Sequence, residues 1–372
     1  NVLPIDCHND ISVENLLAIA RKHGHCTLRE LRPPSAELVV TGAEGAYCHE
    51  VVIPFVRRAH DSEGAKESDA LALTDVATSG QPLQRGHRVM PHLGQDRNHI
   101  GSEWLYAKLF CSASAIDSVL RDAVYPLMVE LVDSGVVTGW FFVRYNDPSW
   151  HLRVRCLGVP EGLVKFALPR LLEVCHPLLA SGRLSGVQFD TYDREVVRYG
   201  GPETARLCEE IFFADSAATA QLISGACGPM PSSVRWSVGA YSCDRVLDAF
   251  GLDLKGKVRF LTSAARRAVG GPGWTRDHVQ SLNDKYRTDR KQVTGVLSGV
   301  GEWALAPEMV DRIAVRDEII RRVVKRLDGS GRRECNESQR EGIIESLLHM
   351  SLNRLCDVRA REQELVIYHY LE

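Results

Sequence analysis

The sequence lacks any stretch apolar enough to cross a bilayer. Its longest uncharged run, Ser216 to Val234, is rich in Ser, Gly and Pro. No charged start leads into an apolar core at the N-terminus, so neither a membrane span nor a signal peptide is expected. Charge of one sign is not in excess either. With 45 Lys and Arg against 48 Asp and Glu, and a net charge of −3 over 372 residues, the chain has no global basic footprint for nucleic acid. An anionic partner must be met by a local cluster. No phosphate-cradling glycine loop, nucleotide fingerprint, internal repeat or low-complexity tract appears. The 11 cysteines include no CxxC pair and no His/Cys group at metal spacing, and His49-Glu50 has no second histidine partner. This argues against a structural zinc site and for a reducing, cytoplasmic compartment.

What the sequence does have is concentrated in Phe141 to Cys156, FFVRYNDPSWHLRVRC. In His151-Leu152-Arg153-Val154-Arg155 the polar residues fall at i, i+2 and i+4, so on a strand they share one face while Leu152 and Val154 take the other. Gly139 to Tyr145 reads as the antiparallel partner, joined through the turn-forming Asn146-Asp147-Pro148-Ser149. Arg144, close to that turn, is expected to reach the same side. The bland alternative is the solvated face of a two-layer sheet. Two arginines on one face repel unless an anion lies between them, which favours an anion-binding platform.

The chain divides at a polar segment. Residues 1–58 carry a helix over Val13 to His23, N-capped by Ser12 and ended by Gly24, and a hairpin of strands Glu37 to Thr41 and Cys48 to Phe55 with Glu44-Gly45 in its turn. Residues 59–98 read as a polar linker. Residues 99–372 alternate: strand Trp104 to Cys111, helix Ala115 to Ser134, the strand pair, helix Pro160 to Leu179, strand Val187 to Tyr192 and a helix from Pro202 to about Cys227. This order predicts an α+β fold, a ferredoxin-like mixed sheet covered by helices on one side, followed by a mainly helical C-terminal part. Its clearest helices are Pro307 to Leu327, Glu337 to Asp357 and Val358 to Leu371.

Two further clusters carry chemistry. In FDTYDREVVRYGG, Glu195 and Arg198 stand three residues apart, on one face if helical, before Gly200-Gly201; taken alone, that is a surface ion pair worth ~0.2 to 0.5 kcal/mol. In LHMSLNRL, His349 and Asn353 stand four apart on an apolar helix, where a histidine is more often a satisfied core residue than a catalyst. The basic stretch around Arg321-Arg322 and Lys325-Arg326 is interrupted by acids and reads as a solvated face.

Together WLYAKLF, FFVRYNDPSWHLRVR, FDTYDREVVRYGG and LHMSLNRL, in order over Gly101 to Glu372, resemble the C-terminal domain of class I lantibiotic dehydratases, also described as the thiopeptide-type bacteriocin biosynthesis domain. Leu3-Pro4-Ile5-Asp6, Asn9, Ser12-Val13-Glu14 and CHEVVIPF are similar to the end of the large domain of the same enzymes, with Cys7-His8 a departure from its pattern. The resemblance implies that residues 1–58 are a terminal fragment of the glutamylation domain and 99–372 the elimination domain. It further implies a precursor peptide as substrate and a large domain, in cis or trans, that glutamylates Ser or Thr from glutamyl-tRNA. The present chain then needs no cofactor and meets nucleic acid only indirectly, and the resemblance makes a homodimer plausible. By position, the family's functional residues fall on Arg153, Arg155, Glu195, Arg198 and His349. The expected reaction is elimination of glutamate to leave dehydroalanine or dehydrobutyrine. The alternatives are a cycloaddition enzyme of the same domain family, or a remnant that only docks the precursor.

Overall fold

In the computed structural model, the residues described are 39–42, 45–48, 97–225, 230–269, 276–329, 337–357 and 360–372. The chain separates into two compact units, Asn1–Gly86 and His87–Glu372. In the first, β1 (Val39–Gly42) and β2 (Gly45–Cys48) form an antiparallel hairpin in which Gly42 pairs with Gly45 and Val39 with Cys48. The second strand therefore starts earlier than the expected Cys48, and the rest of the expected strand, 49–55, lies outside the described residues. Pairing begins as soon as the chain reverses, at Gly45. The expected Val13 to His23 helix lies outside the described residues.

The second unit is built on a four-stranded sheet of β4 (Trp104–Phe110), β5 (Gly139–Tyr145), β6 (His151–Leu157) and β7 (Gly186–Phe189), in the order β5-β6-β4-β7. Every pairing is antiparallel. With helical run α1 (113–133) between β4 and β5 and α2 (160–180) between β6 and β7, this is the ferredoxin-like βαββαβ arrangement, with an all-antiparallel rather than mixed sheet. A second small ladder pairs β3 (Arg97–Asn98), at the end of the expected linker, with β8 (Tyr192–Asp193). The strand expected over Val187 to Tyr192 is thus two strands, interrupted at Asp190-Thr191.

Alternation along the strands assigns the two faces. Leu105, Ala107, Leu109, Trp140, Phe142, Leu152, Val154 and Cys156 pack against α1 and α2. Trp104, Tyr106, Phe141 and Val143 face the other way, into a core shared with the C-terminal helices. Those helices are α3 (Pro202–Ser224), α4 (Ser232–Ala249), α5 (Leu254–Val269), α6 (Arg276–Ser298), α7 (Pro307–Gly329), α8 (Glu337–Leu355) and α9 (Ala360–Leu371). The sheet is therefore covered on both faces, not one, because the helical tail folds back over the face that α1 and α2 leave bare. Both α1 and α2 contain a wide π turn, at Leu120–Val124 and Leu163–Ala167, just before Pro126 and Pro169. A proline has no N–H to offer the carbonyl four residues back and clashes with it; the wide turn accommodates both defects.

Arg144 does not share the face of Arg153 and Arg155. It shares the face of Trp140 and Phe142, and its guanidinium is buried beside Asp117 of α1 at 2.5 Å. The Asp117 carboxylate also accepts from the buried Arg235 of α4, whose Nη1 donates to the Leu355 carbonyl at 2.6 Å. Burial pushes the Asp117 carboxyl upward, but Arg144 and Arg235 outweigh it and hold the group below the usual carboxylate range. One carboxylate thus ties α1, β5 and α4 together. Replacing Asp117 by Asn leaves two buried guanidinium groups under-compensated and should cost about 3–5 kcal/mol in urea unfolding at neutral pH. The contribution of a carboxyl with a depressed folded value is complete above its unfolded value, ~4, and disappears as pH falls through the folded one. The gap between wild type and Asp117→Asn should therefore close in strong acid.

Candidate active site

β6 carries the centre of the site. Arg153 and Arg155 project from the face opposite Leu152 and Val154, as expected from the i, i+2 spacing. In the register, Arg153 lies between Lys108 of β4 and Val143 of β5, and Arg155 between Tyr106 and Phe141. The Arg155 guanidinium stands 4.2 Å from the Tyr106 ring centroid, 4.7 Å from Tyr192 and 5.1 Å from Phe141. An aromatic cage of this kind stabilises a cation through the ring faces. It supplies few acceptors, however, and the buried Nε of Arg155 has no hydrogen-bond partner. Burial works against the charge of Arg155, so an incoming anion would relieve an existing cost.

Arg153 is held differently. Its guanidinium lies over the Tyr145 ring at 3.4 Å, and its Nε donates to His151 Nε2 at 3.0 Å. Lys108, next to it across the strands, is engaged by Asp190. The row is thus not three equivalent cations: His151 is a buried acceptor, and Lys108 is already ion-paired.

Glu195 and Arg198 reach this face from a turn, 196–200, rather than from a helix. The turn cannot continue helically because Gly200 and Gly201 take positive φ, 75° and 111°, where side chains with a Cβ are strained. Gly200 also lets the turn approach α8, since a Cβ there would stand 3.2 Å from Ile343 Cδ1. Upstream, Tyr192 and Arg194 both donate to Glu209 of α3, at 2.8 and 2.7 Å, and hold the segment down. Glu195 then accepts from Arg198 Nη1 at 2.9 Å and lies within electrostatic reach of Arg155.

Arg198 links the sheet to α8. Its Nε donates to Ser346 Oγ at 3.2 Å, and Ser346 lies one helical turn before His349. His349 is half-buried, with Nδ1 2.8 Å from Glu364 Oε2 of α9, and the other Glu364 oxygen accepts from Tyr368 OH at 2.9 Å. A carboxylate at Nδ1 favours the proton there and leaves the lone pair on Nε2. Hydrogen bonds thus join Glu195 to Arg198 and Arg198 to Ser346, on the helix that also carries His349; Glu195 meets Arg155 electrostatically, and Arg153 stands beside Arg155 on the same strand face. Sequence reading missed Glu364, the aromatic cage and Lys108. Tyr106 and Lys108 alternate within WLYAKLF, but only the register places them beside the arginines.

Position of α8 is set at the sheet edge. Asn353 Oδ1 accepts the Arg144 backbone N–H and its Nδ2 donates to the Arg144 carbonyl, both at 3.0 Å, while Arg354 Nε donates to the Phe142 carbonyl at 2.9 Å. Asn353 thus serves the fold and not the chemistry. Among the described residues no group of three or more His, Cys, Asp and Glu could hold a metal.

Residues 104–372 match the family model for the lantibiotic biosynthesis dehydratase C-terminal region. The chain belongs to this family. It is 24% identical over 294 residues to the subtilin biosynthesis protein SpaB of Bacillus subtilis, 78% of this chain and 25% of SpaB. The crystal structure of the tRNA-dependent lantibiotic dehydratase MibB from Microbispora sp. 107891 superposes with a TM-score of 0.59 at 27% identity, over 73% of this chain and 28% of MibB. The chain thus spans about a quarter of the length of these relatives. TbtD, a pyridine synthase from thiomuracin biosynthesis, shares the fold, with a TM-score of 0.52 at 14% identity over 73% of this chain and 97% of TbtD. No helix among the described residues of this dehydratase-family chain is long and apolar enough to cross a membrane.

If the Asn353 clamp fixes α8, Asn353→Leu strands two buried backbone groups at about 1–3 kcal/mol each. Hydrogen exchange at the Arg144 amide should then accelerate roughly tenfold or more. Unchanged protection there would mean that another contact closes this edge.

Proposed function

We propose that the chain catalyses β-elimination of glutamate from glutamylated Ser or Thr in a ribosomal precursor peptide, leaving dehydroalanine or dehydrobutyrine. The observation that carries this reading is the pair of arginines on one strand face, with Glu195 in electrostatic reach of Arg155 and bonded to Arg198, which in turn bonds to the helix bearing the carboxylate-held His349. The reaction needs a base for the Cα proton, stabilisation of the enolate-like amide oxygen, and help for the departing carboxylate. His349 Nε2 takes the Cα proton; the C–H electron pair becomes the Cα=Cβ bond as the Cβ–O bond breaks and glutamate leaves as its carboxylate. Glu364 holds Nδ1 and stabilises the imidazolium that results.

Arg155, caged and short of an acceptor, and Arg153 hold the glutamyl group and offset charge as it leaves. Arg198, oriented by Glu195, is a further clamp. A guanidinium suits this task because its paired donors match a carboxylate. The same proposal includes a cytoplasmic setting and, possible within it, a homodimer. It also assigns residues 1–58 to the end of the glutamylation domain, the rest of which uses glutamyl-tRNA in cis or trans.

The test is mass spectrometry of a peptide bearing one glutamylated serine. Wild type should release the whole glutamic acid to give dehydroalanine. Arg155→Ala and His349→Ala should leave the adduct in place, with rates lower by about a hundredfold or more for a lost proton-transfer group. Normal elimination by His349→Ala would remove His349 from the mechanism. An unchanged adduct that co-elutes with wild type would point to a docking module, and turnover of a peptide already carrying two dehydroalanines to the cycloaddition chemistry.

A further inference from the structure

His151 was drawn into the site by its place in HLRVR, yet its surroundings are those of a neutral group. It is 1% exposed. Its Nδ1 lies 2.8 Å from the Ser149 carbonyl, which can only accept, so the proton is on Nδ1. Its Nε2 lies 3.0 Å from Arg153 Nε, which can only donate, so Nε2 carries a lone pair. The two contacts fix one tautomer, and the one at Nε2 does not tolerate a second proton on the ring. The balance of its surroundings agrees. Burial, Arg153 on its own strand and Lys108 of β4 all work against a charged imidazole, and together they outweigh the Ser149 carbonyl and Asp147 of the β5–β6 turn, which favour one. Phe110 of β4 and Tyr145 of β5 close its sides, at 4.8 and 5.5 Å between ring centroids.

We propose that His151 is a positioning residue whose bare Nε2 holds Arg153 so that the two terminal guanidinium nitrogens face an incoming carboxylate. This rests on the elimination reading for the identity of that carboxylate, the glutamyl group. With Nε committed to His151 and the guanidinium plane resting on Tyr145, Arg153 is left with an end-on clamp, Nη1 and Nη2 together. Arg155, whose Nε is unpartnered, is not so restricted. The neighbouring arginines therefore have different tasks: Arg153 is pre-set before substrate arrives, and Arg155 completes its hydrogen bonding when it does. Acid undoes the device. Once Nε2 is protonated it cannot accept from Arg153, and a third positive charge joins Arg153 and Lys108. Burial holds the His151 value below its ordinary one, so the arrangement is intact at neutral pH and is lost only as pH falls through that lowered value.

Two measurements on the full chain test this. The first is nitrogen NMR of histidine-labelled protein. At pH 7 His151 should show a protonated Nδ1 and an unprotonated Nε2, the minor tautomer of free imidazole; the opposite tautomer, or a doubly protonated ring, overturns the proposal whatever the variants do. The second compares binding of a glutamylated peptide. His151→Leu should weaken it about tenfold to a hundredfold, the loss of one hydrogen bond to a charged group. His151→Gln, whose side-chain oxygen can replace Nε2, should restore most of it. Arg153→Leu should add little to His151→Leu, since both remove the same clamp, and fully additive losses would sink the coupling. These outcomes are separable from the chemistry. Wild type that binds the adduct with the His151 dependence but never releases glutamate leaves the clamp standing and removes elimination.

Discussion

The geometry of the site depends on how one edge of the sheet is closed. β5 is the outermost strand on its side, and its outward backbone groups are met by side chains rather than by another strand. Ser216 accepts from the Phe142 N–H, Arg354 donates to the Phe142 carbonyl, and Asn353 makes paired bonds to Arg144. An open edge would leave polar groups unpaired in a buried setting or available to another chain. Closing it with α8 does more than satisfy them. Because the contacts are directional and sit on two adjacent residues, they set the helix in rotation and along its axis. His349, one turn before Asn353, is thereby placed relative to the arginines of β6.

The clamp is anchored in turn by buried charge. Arg354 reaches Asp215 of α3 at 2.9 Å, and Asp215 also accepts from Ser351 and from Arg316 of α7. Arg144 donates from Nε to the Arg354 carbonyl at 2.8 Å while pairing with Asp117. Such networks stabilise less than their Coulomb energy suggests, because every charge has lost its water. Any packing of α3, α7 and α8 that parted these arginines from Asp215 would leave a buried charge uncompensated. Compensation is not complete even here: one terminal nitrogen each of Arg144 and Arg354 is buried without a partner, as is the Nε of Arg155 on the sheet face. What sets Arg155 apart is its surroundings, three aromatic rings in place of a bonded carboxylate.

Much of the architecture was legible from local pattern. The alternation in WLYAKLF, GWFFVRY and HLRVRCL, with turn residues between the last two, specified three strands almost to the residue. The order of elements implied the ferredoxin-like arrangement. Errors came where two explanations fit one pattern. Arg144 was near the turn and cationic, but one residue of register moves a side chain to the other face, and Asp117 lies there. Glu195 and Arg198 had helical spacing, yet Gly200-Gly201 makes the segment a turn. Strand β7 stops at Phe189 although its neighbour β4 runs on to Trp104, because the chain there turns to pair Tyr192-Asp193 with β3.

By itself, the sequence determined which groups are available: two arginines on one strand face, a Glu-Arg pair before two glycines, a histidine on a largely buried helix, and the elements that carry them. Those follow from periodicity and turn chemistry, which act over a few residues. Tertiary structure decided what each group is for. That His151 is an acceptor rather than a cation, that Glu364 holds His349, that Tyr106 and Tyr192 cage Arg155, and that Arg144 belongs to the scaffold all depend on partners distant in the chain. Protonation state and hydrogen bonding are set by what lies within a few ångströms, and only packing brings those atoms together.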